Sequence, residues 1–303
     1  MDLTQTRQRD MGCYDGADKA GDAVKTIAMI LAMVAGVAGA AAQAQDPAGV
    51  PVPTGTWSLD TVPGMCVISH GYAAGNSQSI LAFRAQPTNS LIEAVLMRDG
   101  TVSAPSGGTG RVTLEPGGMT LTGDSASGPT AGGGRRIDIL YLKEPAWAGL
   151  ATATAMTMAL DGQAPIRLAV NGADKAIAAL RTCRDSLMQS WGMDPTERDR
   201  VAEPARPVGS SLNWVSTADY PSDAMKAKQA GTSTIAWTIT LDGRAEECRT
   251  VVSSGTPSLD AAACAAITKR ARYTPAMGKD GKQTVTHVAQ MVTWTLPVQI
   301  RAR

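Results

Sequence analysis

Between positions 55 and 170 the apolar residues come in short runs broken by turn formers, the pattern of strands. Runs at 79–83, 91–96, 111–114, 119–122, 136–140 and 166–170 are the strand candidates. The Gly-rich stretches 105–110 and 128–134 read as turns that punctuate them. Such spacing predicts a mostly antiparallel sheet or sandwich. The period then changes. Ala176, Ile177, Leu180, Cys183, Leu187 and Trp191 recur at helical intervals, with Asn171 or Asp174 as a starting cap. That stripe is expected to lie on the sheet.

From 194 to 212 no period survives, and Pro195, Pro204 and Pro207 stand among charges, which predicts a linker. The last ninety or so residues read as αββαβ. Pro221 opens a short helix through Ala230, and Gly231 stops it. Strict alternation at Ile235, Trp237, Ile239 and Leu241 predicts a strand with one buried face. Asp242-Gly243 signals a tight hairpin, with the return strand at 244–252. Ser258 caps a second helix that reaches about Tyr273 and buries Leu259, Ala263, Ala266 and Ile267. A final strand follows at 284–296.

The run 27–42 after Lys25, ending in Ala42-Gln43-Ala44, has the order of a cleaved signal peptide, with the mature chain starting at Gln45. An uncleaved anchor is the alternative, although Gly36, Gly39 and many Ala make the run short and weakly apolar for a span. Export implies an oxidising compartment. Of five cysteines, Cys13 precedes the run. The four that remain allow three pairings, and the domain boundaries favour Cys66 with Cys183 and Cys248 with Cys264. The expected organisation is α+β: signal segment 1–44, β-rich domain 45–193 with a terminal helix, linker 194–212, and a small αββαβ domain 213–303.

In that last domain Tyr220-Pro221, Asp242-Gly243-Arg244, Ser253-Ser254-Gly255 with Leu259-Asp260, Pro275-Ala276, and Asp280-Gly281-Lys282 follow one another in order. In these residues and their order the sequence resembles the TonB C-terminal family. The likeness covers roughly 212–297 and does not reach the β-rich domain. It implies a periplasmic module that binds an extended segment of an outer-membrane TonB-dependent receptor by adding a strand to its sheet edge, in energy-coupled transport. The implied edge is the last strand, where Thr284, Val285, Thr286, His287, Val288, Ala289 and Gln290 would pair with the peptide. Contact with inner-membrane proton-driven motor proteins is implied only if 27–42 stays as an anchor. The competing reading is an envelope adaptor whose edge strand forms a homodimer.

Charge changes this picture little. The 303-residue chain is near neutral at +1, which gives no field for nucleic acid. Residues 206–303 carry twelve Lys/Arg against seven Asp/Glu, which would favour an acidic partner segment. No enzyme is expected. With two histidines, His70 and His287, there is neither a Gly-x-Ser-x-Gly elbow nor a zinc-ligand spacing, and no P-loop follows the Gly-rich stretches. No cofactor or metal is expected. Glu246 and Glu247 are expected on opposite faces of a strand, and Trp237 and Trp294 in the core. Trp57 reads as a packing residue rather than the wall of a cleft.

Overall fold

The computed structural model describes residues 50–85, 91–102, 105–130, 134–143 and 145–296. The signal-like run 27–42 lies outside them. No described helix is long and apolar enough to cross a membrane. The described chain divides between Leu187 and Met188 into two compact units.

The first unit holds β1 (Val52–Val62), β2 (Met65–Ala74), β3 (Ser77–Ala85), β4 (Ile92–Asp99), β5 (Ser106–Glu115), β6 (Met119–Pro129), β7 (Arg135–Leu142), α1 (Pro145–Thr152), β8 (Ala155–Leu160), β9 (Ile166–Ala169) and α2 (Ala173–Ser190). Its nine strands form one sheet, ordered β1-β2-β3-β4-β7-β6-β5-β8-β9. All neighbours are antiparallel, so the sheet, not the sandwich, is the outcome. The sheet curls until its ends meet. The Tyr72 hydroxyl on β2 donates to the Ala169 carbonyl on β9 at 2.7 Å, and the Trp57 indole N–H donates to the Asn171 carbonyl at 3.0 Å. Ile68, Phe83, Leu96, Leu140 and Met156 line the enclosed face, and α2 packs Ala176, Ile177 and Leu180 into the same core. A disulfide joins Cys66 on β2 to Cys183 on α2. On α1 the buried Trp147 ring has Arg181 and Arg184 over it at 4.9 and 5.2 Å, a doubled cation–π contact.

Strands β2 and β4 are buried on both faces, at Met65 through His70 and at Ile92 through Met97. Burial on both sides erases the alternation that marks a strand. The second face even takes in charge, since Arg84 and its cross-strand partner Glu93 form an ion pair within it, with Nε donating to Oε2 at 2.8 Å. The Gly-rich stretch expected as a turn is instead the start of β5. Glycine serves there because the layers crowd it: a Cβ on Gly110 would stand 2.5 Å from the Leu160 side chain, and one on Gly123 of β6 1.9 Å from the Tyr141 carbonyl. A missing side chain in a strand is thus a close-approach signal as well as a turn signal.

The second unit contains α3 (Glu197–Arg200), β10 (Val201–Glu203), β11 (Arg206–Pro207), α4 (Ser222–Lys226), β12 (Gly231–Ile239), β13 (Ala245–Val252), α5 (Pro257–Arg270), β14 (Tyr273–Thr274), β15 (Ala276–Gly278), β16 (Gln283–Thr284) and β17 (Thr286–Trp294). The main sheet runs β13-β12-β17, antiparallel throughout. Helix α5 lays Leu259, Ala263, Ala266 and Ile267 against Ile235, Trp237, Ile239, Val292 and Trp294. Both tryptophans are buried, and a disulfide ties Cys248 on β13 to Cys264 on α5.

The stretch expected as a linker is folded. β10 pairs with β15, and β11 pairs with β14, so 201–207 belongs to the second unit. Short pairings of two or three residues leave no periodic trace. The Asp242-Gly243 turn does form, with Gly243 at φ +77°. A Cβ there would lie 1.9 Å from the Tyr273 carbonyl, so glycine lets the turn dock on β14 as well as close.

The bridge between Cys248 and Cys264 spans 16 residues of sequence. Replacing both by Ala is expected to lower the unfolding free energy of the second unit by about 3 kcal/mol, by the loop-entropy account. Denaturant titration followed by Trp fluorescence would check it, and an unchanged midpoint would refute it.

Candidate functional site

The main sheet of the second unit has two ends, β13 and β17. The β13 end is irregular. Register shifts interrupt its pairing with β12, and Glu247 sits at φ +53°, a bulge whose carboxylate accepts from the Thr238 hydroxyl at 2.9 Å. Strict alternation of Glu246 and Glu247 does not survive that bulge. The β17 end is regular. Its pairing with β12 runs without a break from Thr286 against Ile239 to Trp294 against Gly231. No described strand pairs with the far side of β17.

Register decides where backbone groups point. The His287 N–H turns away from β12 and donates to a Glu197 carboxylate oxygen at 2.9 Å. In an antiparallel ladder the outward residues alternate. Ala289, Met291 and Thr293 therefore direct their backbone groups to the same outer side. Val288, Val292 and Trp294 point their side chains toward α5. Of the seven expected edge residues, Thr286, His287, Val288, Ala289 and Gln290 stand on β17. The other two do not. Thr284 belongs to β16, opposite Ala276, and Val285 lies between the strands with its side chain exposed. The outward edge accordingly lies further along the chain than expected, and reaches Thr293. A single run of Thr, Val and Ala hid the break between β16 and β17.

One carboxylate missed in the sequence meets this edge. Glu197 in α3 also contacts the His287 ring, Oε2 to Nδ1 at 2.5 Å. That contact holds the ring's pKa above its ordinary value, with burial and Arg249 opposing. Glu197 lay in the presumed linker, and only its charge stood out there.

The motif residues prove to be a scaffold around Asp260. Its carboxylate, in the first turn of α5, accepts from Ser233 Oγ at 2.6 Å, Ser253 Oγ at 2.5 Å and the Ser254 N–H at 2.9 Å. Burial works against its ionisation, but these bonds outweigh it and hold the carboxyl below the usual range. Ser253-Ser254-Gly255 and Leu259-Asp260 thus form one clamp of loop, helix and central strand. Likewise Arg270 of α5 donates from Nε to the Trp214 carbonyl at 2.7 Å and pairs with Asp219.

Residues 216–296 match the family described as Gram-negative bacterial TonB protein C-terminal. This segment is a TonB C-terminal domain. No curated protein matches the chain. The family is envelope-associated, non-enzymatic and transport-related, and its members generally interact with outer-membrane receptors.

Among the described residues the first unit gives no comparable site. His70 is buried on β2, with its ring 5.0 Å from those of Trp57 and Tyr72. Burial lowers its pKa, against hydrogen bonds at Gly55 and Gly71. Trp57 stacks on Phe83 at 5.9 Å, a packing role. Among the described residues no cluster of His, Cys, Asp and Glu could hold a metal.

Asp260 sets a pH dependence. Because its folded pKa is depressed, its contribution is whole above the unfolded carboxylate value of about 3.9 and is lost as pH falls through the folded one. Asp260→Asn should lower stability at pH 7 by about 1–3 kcal/mol and flatten the loss that the wild type shows as pH falls below about 4. Parallel acid profiles for the two proteins would contradict this.

Proposed function

We propose that the TonB C-terminal domain of this chain binds an extended segment of an outer-membrane TonB-dependent receptor by adding it as a strand outside β17, in energy-coupled transport. The observation that carries the reading is the uninterrupted β17 edge, with alternate backbone groups directed away from β12. A backbone edge of this kind supplies affinity through main-chain hydrogen bonds, and alternate side chains add selectivity. The cationic excess of 206–303 favours acidic receptor segments by steering. The bulged β13 end, with Glu247 at positive φ, is less suited to a straight partner.

Location follows the same reading. The run 27–42 directs export, and the two disulfides fit an oxidising periplasm. N-terminal sequencing of the mature protein should give Gln45. A retained run would instead make the protein an inner-membrane energy transducer in contact with a proton-driven motor. The nine-stranded unit would then stand where other transducers place a spacer.

Met291→Pro tests the edge. It removes an outward N–H from the middle of β17 and leaves the β12 ladder its donors. Affinity for receptor-derived periplasmic segments should fall about 5-fold by titration calorimetry, the loss expected from one broken rung near 1 kcal/mol. Unchanged affinity would show that the peptide docks elsewhere. Concentration-dependent dimerisation of the wild type that Met291→Pro abolishes, without peptide binding, would favour the homodimeric adaptor.

A further inference from the structure

We infer that residues 191–200 are an intramolecular guard on the docking edge, with the Glu197 carboxylate occupying a backbone donor that an incoming strand would need. This rests on the edge reading above. The guard is built rather than draped. On one side Arg249 of β13 donates to the Trp191 carbonyl, and Trp191 and Met193 are buried. Register places Arg249 beside Ala236 and His287 beside Thr238, so both stand on the sheet face opposite α5. The chain from Trp191 to Glu197 therefore passes from the β13 side to the β17 edge. Beyond Glu197 it is held again, where the Lys279 N–H donates to the Arg200 carbonyl at 2.9 Å and β10 pairs with β15.

At the edge one carboxylate makes two contacts, to the His287 N–H at 2.9 Å and to its Nδ1 at 2.5 Å. The Glu197 side chain is only 16% exposed, so this pair is poorly screened. A carboxylate can occupy one rung but cannot continue a ladder. An added strand offers a rung at every second residue, so it can displace the guard from the Met291 side. The groups that face the His287 ring are Glu197 from α3 and Glu247 and Arg249 from β13. The first holds the ring charged most strongly, Arg249 opposes and Glu247 adds. The folded pKa is raised, so the latch is whole below the ordinary histidine value of about 6.5 and weakens as pH rises through the folded one.

The test uses the full mature chain and a capped heptapeptide of alternating Val and Thr as probe. Glu197→Ala should bind it at least about 10-fold more tightly than wild type at pH 6, the worth of one charge-assisted rung, with the gap narrowing by pH 8. Glu197→Gln, which keeps a neutral acceptor and the shape, should fall between them. The chain has only two histidines, so the His287 ring resonance is resolvable, and its pKa should drop in Glu197→Ala. Equal affinities in wild type and Glu197→Ala, with Met291→Pro still weakening both, would overturn the guard and keep the edge. Tighter binding by Glu197→Ala that Met291→Pro does not reduce would overturn the edge reading. Absence of binding to all variants would overturn both.

Discussion

A β-strand at the end of a sheet keeps half of its backbone hydrogen-bonding groups unspent on that sheet, and the behaviour of this domain follows from that constraint. With β12 in the middle, β13 and β17 must each carry such an edge. The two are treated differently. β13 is bent by a bulge at Glu247 and tied to α5 through Cys248 and Cys264. β17 is straight, and its first outward amide is taken by Glu197. Both are recognised ways of protecting an edge, and only the second is reversible without deforming the sheet.

The scaffold behind β17 keeps that edge straight. Trp237 and Trp294 are both buried in the core beneath α5, and the Tyr220 ring meets Trp294 edge-on at 5.3 Å. Asp260 fixes the turn after β13 to the start of α5 and, through Ser233, to β12. The family motif therefore marks positions where loops are clamped, while the groups that would meet a partner are backbone atoms with no residue signature.

Much of this was legible in the sequence, for physical reasons. Strict alternation at Ile235, Trp237 and Ile239 marks β12 because one face is strongly apolar and the other carries Thr234, Ala236 and Thr238, although both faces are buried rather than the one expected. Gly243 marks the hairpin since its φ is positive. The stripe Ala176, Ile177 and Leu180 shows α2, and with it the partner of Cys66. Other parts were hidden. β2 is buried on both faces and β5 begins with glycines demanded by close packing, so neither alternates. α1 is short. β10 and β11 are pairings of three and two residues, invisible to any period. Glu197 reaches His287 across 90 residues, a contact that no local pattern encodes.

Amide hydrogen exchange on the full mature chain, with and without a bound receptor segment, tests the central claim most directly. Strand addition outside β17 predicts new protection at Met291 and Thr293, with β13 unchanged. Protection confined to β13, or none on β17 while the peptide is bound, would contradict it.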